Sequence, residues 1–285
     1  MRPFRLYEPT TTAETVTVLR ELGDGGKLYA GGTELLLAMK AGLLSYDGLV
    51  NVKHVVGLDA ISTGNGTLTI GATATHSAIE RSPAVLRDFP LIAQVEHTVA
   101  NVRVRNVGTL VGNLCFAEPH SDPAALLLLY EASVNVEGPA GPRTVPLDGL
   151  ITGAYETSLA EDELVTRVDV SPFPAGMRGA YLKFGYHHRP TLGLGAAVAA
   201  SDGRFDDVRL SLGSVGERPT RLHDAEDVLR GVRLDDDRAL AEAGRIAAST
   251  SEPLEDEHGS AEFKAHLVEV FVRRAVTEAV ERGMR

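Results

Sequence analysis

The order of hydrophobic periods at the start of the chain leaves little choice of fold. Arg5 to Tyr7 is a short extended piece, and Thr12 to Leu22 carries Val16, Leu19 and Leu22 at helical spacing before Gly23 stops it. Lys27 to Ala30 reads as a short buried strand. After the glycines at 31 and 32, Thr33 suits the N-cap of a helix through Leu35, Leu36, Met39 and Lys40, closed by Gly42. Leu49 to Val52 would return as a parallel strand. Strand, helix, strand, glycine turn, helix, strand is the order of a small βαβ unit.

From about Leu58 the pattern changes. Strand-like pieces at Thr67 to Ile70, Val134 to Glu137 and Leu164 to Val170 surround helices near Ala78 to Arg87 and Pro90 to Ala100. A further short helix should start at Asp122-Pro123, an N-cap followed by proline at the first helical position. Beyond Ser171-Pro172-Phe173-Pro174, three segments alternate like an antiparallel sheet: Gly179 to Gly185, Gly195 to Ala200 and Val208 to Val215. In the tail, Phe263, Leu267, Phe271, Val272, Ala275 and Ala279 fall on one helical face. The expected class is α+β. A first domain spans residues 1–175, with subdomains about 1–55 and 56–175, and a C-terminal sheet-plus-helices domain spans 176–285.

Composition excludes several function classes. The formal net charge of −11 argues against nucleic acid as a partner. No apolar run approaches the roughly eighteen residues a membrane span needs. The first residues, Met1 to Arg5, lack an apolar signal region, so a cytoplasmic location is expected. Cys115 is the only cysteine, so the chain cannot build a disulfide, an iron–sulfur cluster or a Cys-rich zinc site by itself.

Two loops carry the chemistry. The first is Ala30-Gly31-Gly32-Thr33-Glu34, between a strand and a helix, and the second is Asn106-Val107-Gly108-Thr109-Leu110-Val111-Gly112-Asn113. Glycines let a backbone approach an anion closely, and successive N–H groups at a helix start make a nest for phosphate oxygens. Thr33 and Thr109 add hydroxyl donors. Two such loops could hold the two phosphates of a dinucleotide. Taken singly, each reads equally as a turn with a helix cap, or as a bulge and a strand end.

In order and spacing these segments resemble the FAD-binding medium subunit of molybdenum hydroxylases of the carbon monoxide dehydrogenase and xanthine dehydrogenase type. Ala30 to Leu35 is similar to the family's first flavin motif, and Val102 to Leu114 to its second, an Arg-Asn-x-Gly-Thr-Ile-Gly-Gly-Asn pattern. Leu68 to Thr75 is similar to an Ile-Gly-Ala strand end. The resemblance continues through Ala154-Tyr155, Tyr181-Leu182-Lys183 and the Ser260 to Val276 helix.

The resemblance implies FAD, held between the first two subdomains by backbone amides of Gly31 to Leu35 and Thr109 to Asn113. Ala30 and Gly108 flank those amides. It further implies that Asp122 touches ribityl or ribose hydroxyls, that Lys183 lies near the flavin ring, and that Val99 packs near it. Plain structural readings stand beside these: a helix N-cap for Asp122, a solvated strand lysine for Lys183 and a core valine for Val99. A large subunit with molybdopterin and a small subunit with two [2Fe–2S] clusters would be partners, in a dimer of heterotrimers. Electrons would pass from the clusters through FAD to NAD, oxygen or a quinone. No catalytic acid or base and no metal ligand is required of this chain.

Val111 departs from the family pattern, which has glycine there, so that position is expected either to be extended or to hold phosphate less closely. Other constellations are weaker. Gly193-Leu194-Gly195 lacks the third glycine of a dinucleotide fingerprint, and Gly213 to Gly216 is one residue short of a nucleophile elbow. His187 and His188 are adjacent and would point to opposite faces of a strand. His120 could approach a cofactor or serve local hydrogen bonds. A stand-alone flavin-dependent oxidoreductase and a flavin-free assembly module remain alternative readings.

Overall fold

The computed structural model describes residues 1–185 and 189–284, so the adjacent pair His187-His188 lies outside the described residues. The chain divides into two compact units, Met1–Ala117 with Ala132–Ser171, and Glu118–Glu131 with Pro172–Arg285.

The first unit opens with the expected βαβ order. It runs β1 (Arg5–Tyr7), α1 (Thr12–Leu22), β2 (Gly26–Tyr29), α2 (Leu35–Ala41) and β3 (Gly48–Asn51). The three strands are parallel in the order β1-β3-β2, with Leu49 opposite both Leu6 and Lys27. All four residues of β3 are buried as the central strand. β2 is an edge strand and only half-buried, which corrects the expectation of a buried one. Thr11 caps α1 by accepting from the Glu14 N–H.

The rest of this unit adds β4 (Ile61–Gly64), β5 (Thr67–Gly71), α3 (His76–Arg81), α4 (Pro83–Asp88), α5 (Pro90–Thr98), α6 (Val102–Arg105) and α7 (Leu110–Phe116). It then continues with β6 (Ser133–Gly138), β7 (Gly141–Pro146), β8 (Ile151–Gly153), β9 (Glu156–Thr157) and β10 (Leu164–Val170). Strands β4-β5-β10-β6-β7 form an antiparallel sheet, and β8 pairs with β9. The helix expected over 78–87 is two helices, because Pro83 cannot donate a backbone hydrogen bond and Ser82 before it is extended. Leu68, Ile70, Val134, Val168 and Val170 are buried from the sheet, and Ile79, Val85, Ile92 and Val95 from the helices.

The second unit holds α8 (Asp122–Leu129), β11 (Arg178–Phe184), β12 (Leu192–Ser201), β13 (Arg204–Gly213), β14 (Thr220–Arg221), α9 (His223–Leu229), α10 (Asp237–Thr250) and α11 (Ala261–Met284). Its four strands are antiparallel in sequence order. Helix α8 is apolar on every side after Asp122, and every residue in it is buried, packed on β12 and β13. That burial groups Glu118–Glu131 with this unit. On α11, Leu267, Phe271, Val272, Ala275 and Ala279 are buried as expected. Phe263 is not: it sits in the first turn, 42% exposed and edge-on to Phe184. The Gly193-Leu194-Gly195 run is buried inside β12, which leaves no phosphate loop there.

Candidate functional site

The first loop is a tight turn between β2 and α2. Gly32 has φ +68°, a left-handed conformation that a side chain rarely adopts. Its carbonyl accepts from the Leu36 N–H (3.0 Å), so the chain is already coiling before α2 begins. The N-cap is Glu34, in helical conformation, one residue later than the expected Thr33. The amides of a helix's first turn have no intrahelical acceptor, which turns the start of α2 toward an anion.

The second loop is shorter than its sequence suggests. Asn101 caps α6 by accepting from the Arg103 and Val104 N–H groups, and the Gly108 N–H donates to the Val104 carbonyl (2.7 Å). Thr109 then caps α7: its hydroxyl oxygen accepts from the Gly112 N–H (3.0 Å), leaving its own proton to donate. Leu110, Val111, Gly112 and Asn113 are therefore helical. Val111 lies in the first turn of α7, 5% exposed, and is not among the positive-φ residues. The expected extended conformation is not seen at Val111: a helical backbone accommodates valine at small cost.

The two loops touch. A Cβ on Gly31 would fall 2.2 Å from the Val107 carbonyl oxygen and 2.7 Å from the Gly108 Cα. A Cβ on Gly108 would lie 3.5 Å from the Thr33 hydroxyl oxygen. Two helix starts, two threonine hydroxyls and two bare glycine backbones thus share one place within the first unit. Gly31 has to be bare for the two loops to meet, and the helix starts beside that contact carry N–H groups of the kind a dinucleotide diphosphate binds. Ala30 precedes the turn. Val99 is half-buried at the C-terminus of α5, and its carbonyl accepts from the Arg105 Nη1 (3.1 Å), which ties down the segment leading into the second loop.

Asp122 and Lys183 belong to the second unit, where they are partners. Lys183 Nζ lies 2.7 Å from Asp122 Oδ2, with side chains 7% and 3% exposed, so Lys183 is not the solvated strand lysine of the plain reading. The Tyr181 hydroxyl donates to Asp122 Oδ1 (3.1 Å). Burial, and then the Asp122 charge, raise the Tyr181 phenol well above its ordinary range, which keeps it a neutral donor. Asp122 is the first residue of α8 and not its N-cap, a position held by Ser121. The sequence reading missed Tyr181 as a member of this group, although its spacing two residues before Lys183 puts both on one face of β11.

His120 serves local bonds. Nδ1 lies 3.2 Å from Glu118 Oε1, Nε2 lies 2.9 Å from Asp256 Oδ2, and Asp256 is 2.5 Å from Lys264 Nζ. Burial pushes Asp256 up, but bonds from Lys264 and the His258 N–H outweigh it and hold the carboxyl at about 2. Burial pushes the Cys115 thiol up to about 12 against the pull of Lys27, so it is a poor nucleophile. Among the described residues, no group of three or more His, Cys, Asp or Glu could hold a metal ion, and no helix is long and apolar enough to cross a membrane.

Comparison with known proteins identifies the family. Residues 2–173 match the FAD binding domain of molybdopterin dehydrogenases, and residues 188–279 match the CO dehydrogenase flavoprotein C-terminal domain. The nicotine 6-hydroxylase medium subunit of Paenarthrobacter nicotinovorans is 32% identical over 96% of both chains. The carbon monoxide dehydrogenase medium chain of Hydrogenophaga pseudoflava is 32% identical over 97% of this chain and 96% of that one. A solved carbon monoxide dehydrogenase from the same organism superposes with TM-score 0.95 at 33% identity, covering 99% of each chain. Quinoline 2-oxidoreductase from Pseudomonas putida 86 superposes with TM-score 0.94 at 28% identity, covering 100% of this chain and 99% of that one. The chain belongs to the molybdopterin dehydrogenase flavoprotein family, as an oxidoreductase subunit with that family's FAD-binding domain followed by its CO dehydrogenase-type C-terminal domain.

Proposed function

We propose that this chain is the electron-transfer subunit of a heteromeric molybdenum hydroxylase, passing electrons from a partner's [2Fe–2S] clusters through FAD to an external acceptor. The contact of Gly31 with Val107 and Gly108 carries the reading, since it builds a two-sided diphosphate cradle in one unit. When bound, FAD supplies the redox chemistry, accepting and releasing electrons. This chain's residues would hold it: amides of Gly31 to Leu35 and of Thr109 to Val111, with the Thr33 and Thr109 hydroxyls, would bind the diphosphate, the Gly112 and Asn113 amides being taken by Thr109. We propose cofactor roles for Val99, Asp122 and Lys183 as well. The Asp122 carboxylate, fixed by Tyr181 and Lys183, has lone pairs left to accept from a sugar hydroxyl.

The need for partners follows from one cysteine, because a cluster of this kind takes four ligands and Cys115 alone cannot supply them. A small [2Fe–2S] subunit and a large molybdopterin subunit would complete the enzyme, two such trimers pairing in the cytoplasm. The test is to co-purify the chain with those subunits and record visible spectrum, iron and molybdenum. The expected result is one FAD per chain, reduced when the complex meets its substrate and not when this chain meets it alone. A chain that stays colourless with added FAD overturns the proposal.

A further inference from the structure

We infer that His76, anchored by Glu96, is a positioning residue that presets the second diphosphate-binding loop; this rests on the FAD reading above. Three consecutive residues at the start of α3 hold that loop. Thr75 pairs with Thr109 in an isolated antiparallel bridge, the His76 N–H donates to the Gly108 carbonyl (3.0 Å), and the Ser77 hydroxyl donates to Asn106 Oδ1 (2.7 Å). Thr75 meanwhile caps α3 itself through the Ala78 N–H.

The His76 ring extends the grip. Its Cδ2 edge lies 3.3 Å from where a Gly108 Cβ would sit, so imidazole and loop backbone are in contact. Nδ1 lies 2.5 Å from Glu96 Oε2 on α5, with the two side chains 3% and 2% exposed. A buried, titratable pair is a costly way to hold two helices together, and apolar side chains of equal volume usually do so at least as well. What such a pair supplies is direction: one ring orientation, set by one short bond. Here that orientation faces Gly108, which sits between His76, the Val104 carbonyl and the Thr33 hydroxyl. Turning the ring would move Gly108, and with it the surface on which Gly31 rests.

The experiment uses the full chain with Glu96→Ala, Glu96→Asp and Glu96→Gln. Dissociation constants are measured for FAD and for ADP as a diphosphate probe, with 31P spectra of bound FAD and melting curves. The His76–Glu96 bond does not touch FAD, so what its loss costs in affinity is the misplacement of the loop, expected at roughly tenfold or more. Glu96→Ala and Glu96→Asp should therefore weaken FAD and ADP by about that factor and shift the 31P resonances. Glu96→Gln, which keeps an acceptor for Nδ1–H, should restore most of the affinity. Where Glu96→Ala does not fold, Glu96→Asp decides, its carboxylate being one methylene too short to reach. Wild-type affinities with unmoved 31P resonances in a folded Glu96→Asp variant overturn the inference and leave the FAD reading intact. Failure of the wild type to bind FAD overturns both.

Discussion

Gly31 lies so close to Val107 that any Cβ at position 31 would sit 2.2 Å from the Val107 carbonyl oxygen. Because the obstructing atoms are backbone, no rotamer change can relieve the overlap. Gly31→Ala must then push the loops apart, at a cost of about 1–3 kcal/mol in overpacking strain. The αβ unit should survive, since position 31 lies outside β2 and α2. The expected outcome is a folded chain whose FAD dissociation constant rises at least about tenfold. Equilibrium dialysis against FAD measures it, and unchanged affinity would show that the loop contact is not part of the site.

Val111 offers the opposite test. The family pattern has glycine there, yet valine is buried and helical in the first turn of α7. Val111→Gly removes buried apolar surface and weakens a helix start, costing about 2 kcal/mol together. For a chain of this size, that corresponds to a fall in Tm of roughly 4–8 °C per 2 kcal/mol. FAD affinity should stay level or fall with the helix. Tighter binding together with a raised Tm would mean that valine strains the loop after all.

The boundaries of α1 and β10 were readable to the residue, because apolar spacing and the Gly23 stop act locally. The flavin loops were readable as a pair only through family resemblance. Nothing local in Gly31 announces that Val107, far along the chain, will rest on it. The placement of α8 was unreadable for the same reason: Ala124 to Leu129 shows a helix buried on all sides but not which sheet buries it. Val111 and Asp122 show a subtler failure. Val111 was read against a family motif and Asp122 as an N-cap before proline, while the Thr109 bond to the Gly112 N–H makes Val111 helical and Ser121 holds the cap position.

The Asp122–Lys183 pair allows structural and cofactor roles to be separated. Lys183→Met leaves a carboxylate 3% exposed with a tyrosine hydroxyl in place of its cation, and such uncompensated burial costs about 3–5 kcal/mol. The double variant Asp122→Asn with Lys183→Met removes both charges and should recover most of the lost stability in a urea titration. It should not recover flavin affinity or the wild-type flavin midpoint potential if the charges serve the cofactor. A double variant with wild-type flavin properties would confine the pair to a structural role.

Asp256 gives the chain a predictable acid limb. Its carboxyl is held at about 2 in the folded protein, below the ordinary value of 3.8, chiefly by Lys264, whose side chain is fully buried. A group with a depressed folded pKa favours the folded state while it is ionised, so its contribution is complete above the ordinary carboxylate pKa. That contribution must then fade between about pH 4 and pH 2, as the unfolded chain takes up a proton that the folded one refuses. Asp256→Asn removes this dependence, and by leaving Lys264 buried without its anion it should destabilise the neutral protein by on the order of 3 kcal/mol. Urea midpoints measured from pH 7 to pH 2.5 should therefore converge for wild type and variant as the pH falls. Curves that stay parallel over that range would show that Asp256 is not the group that titrates.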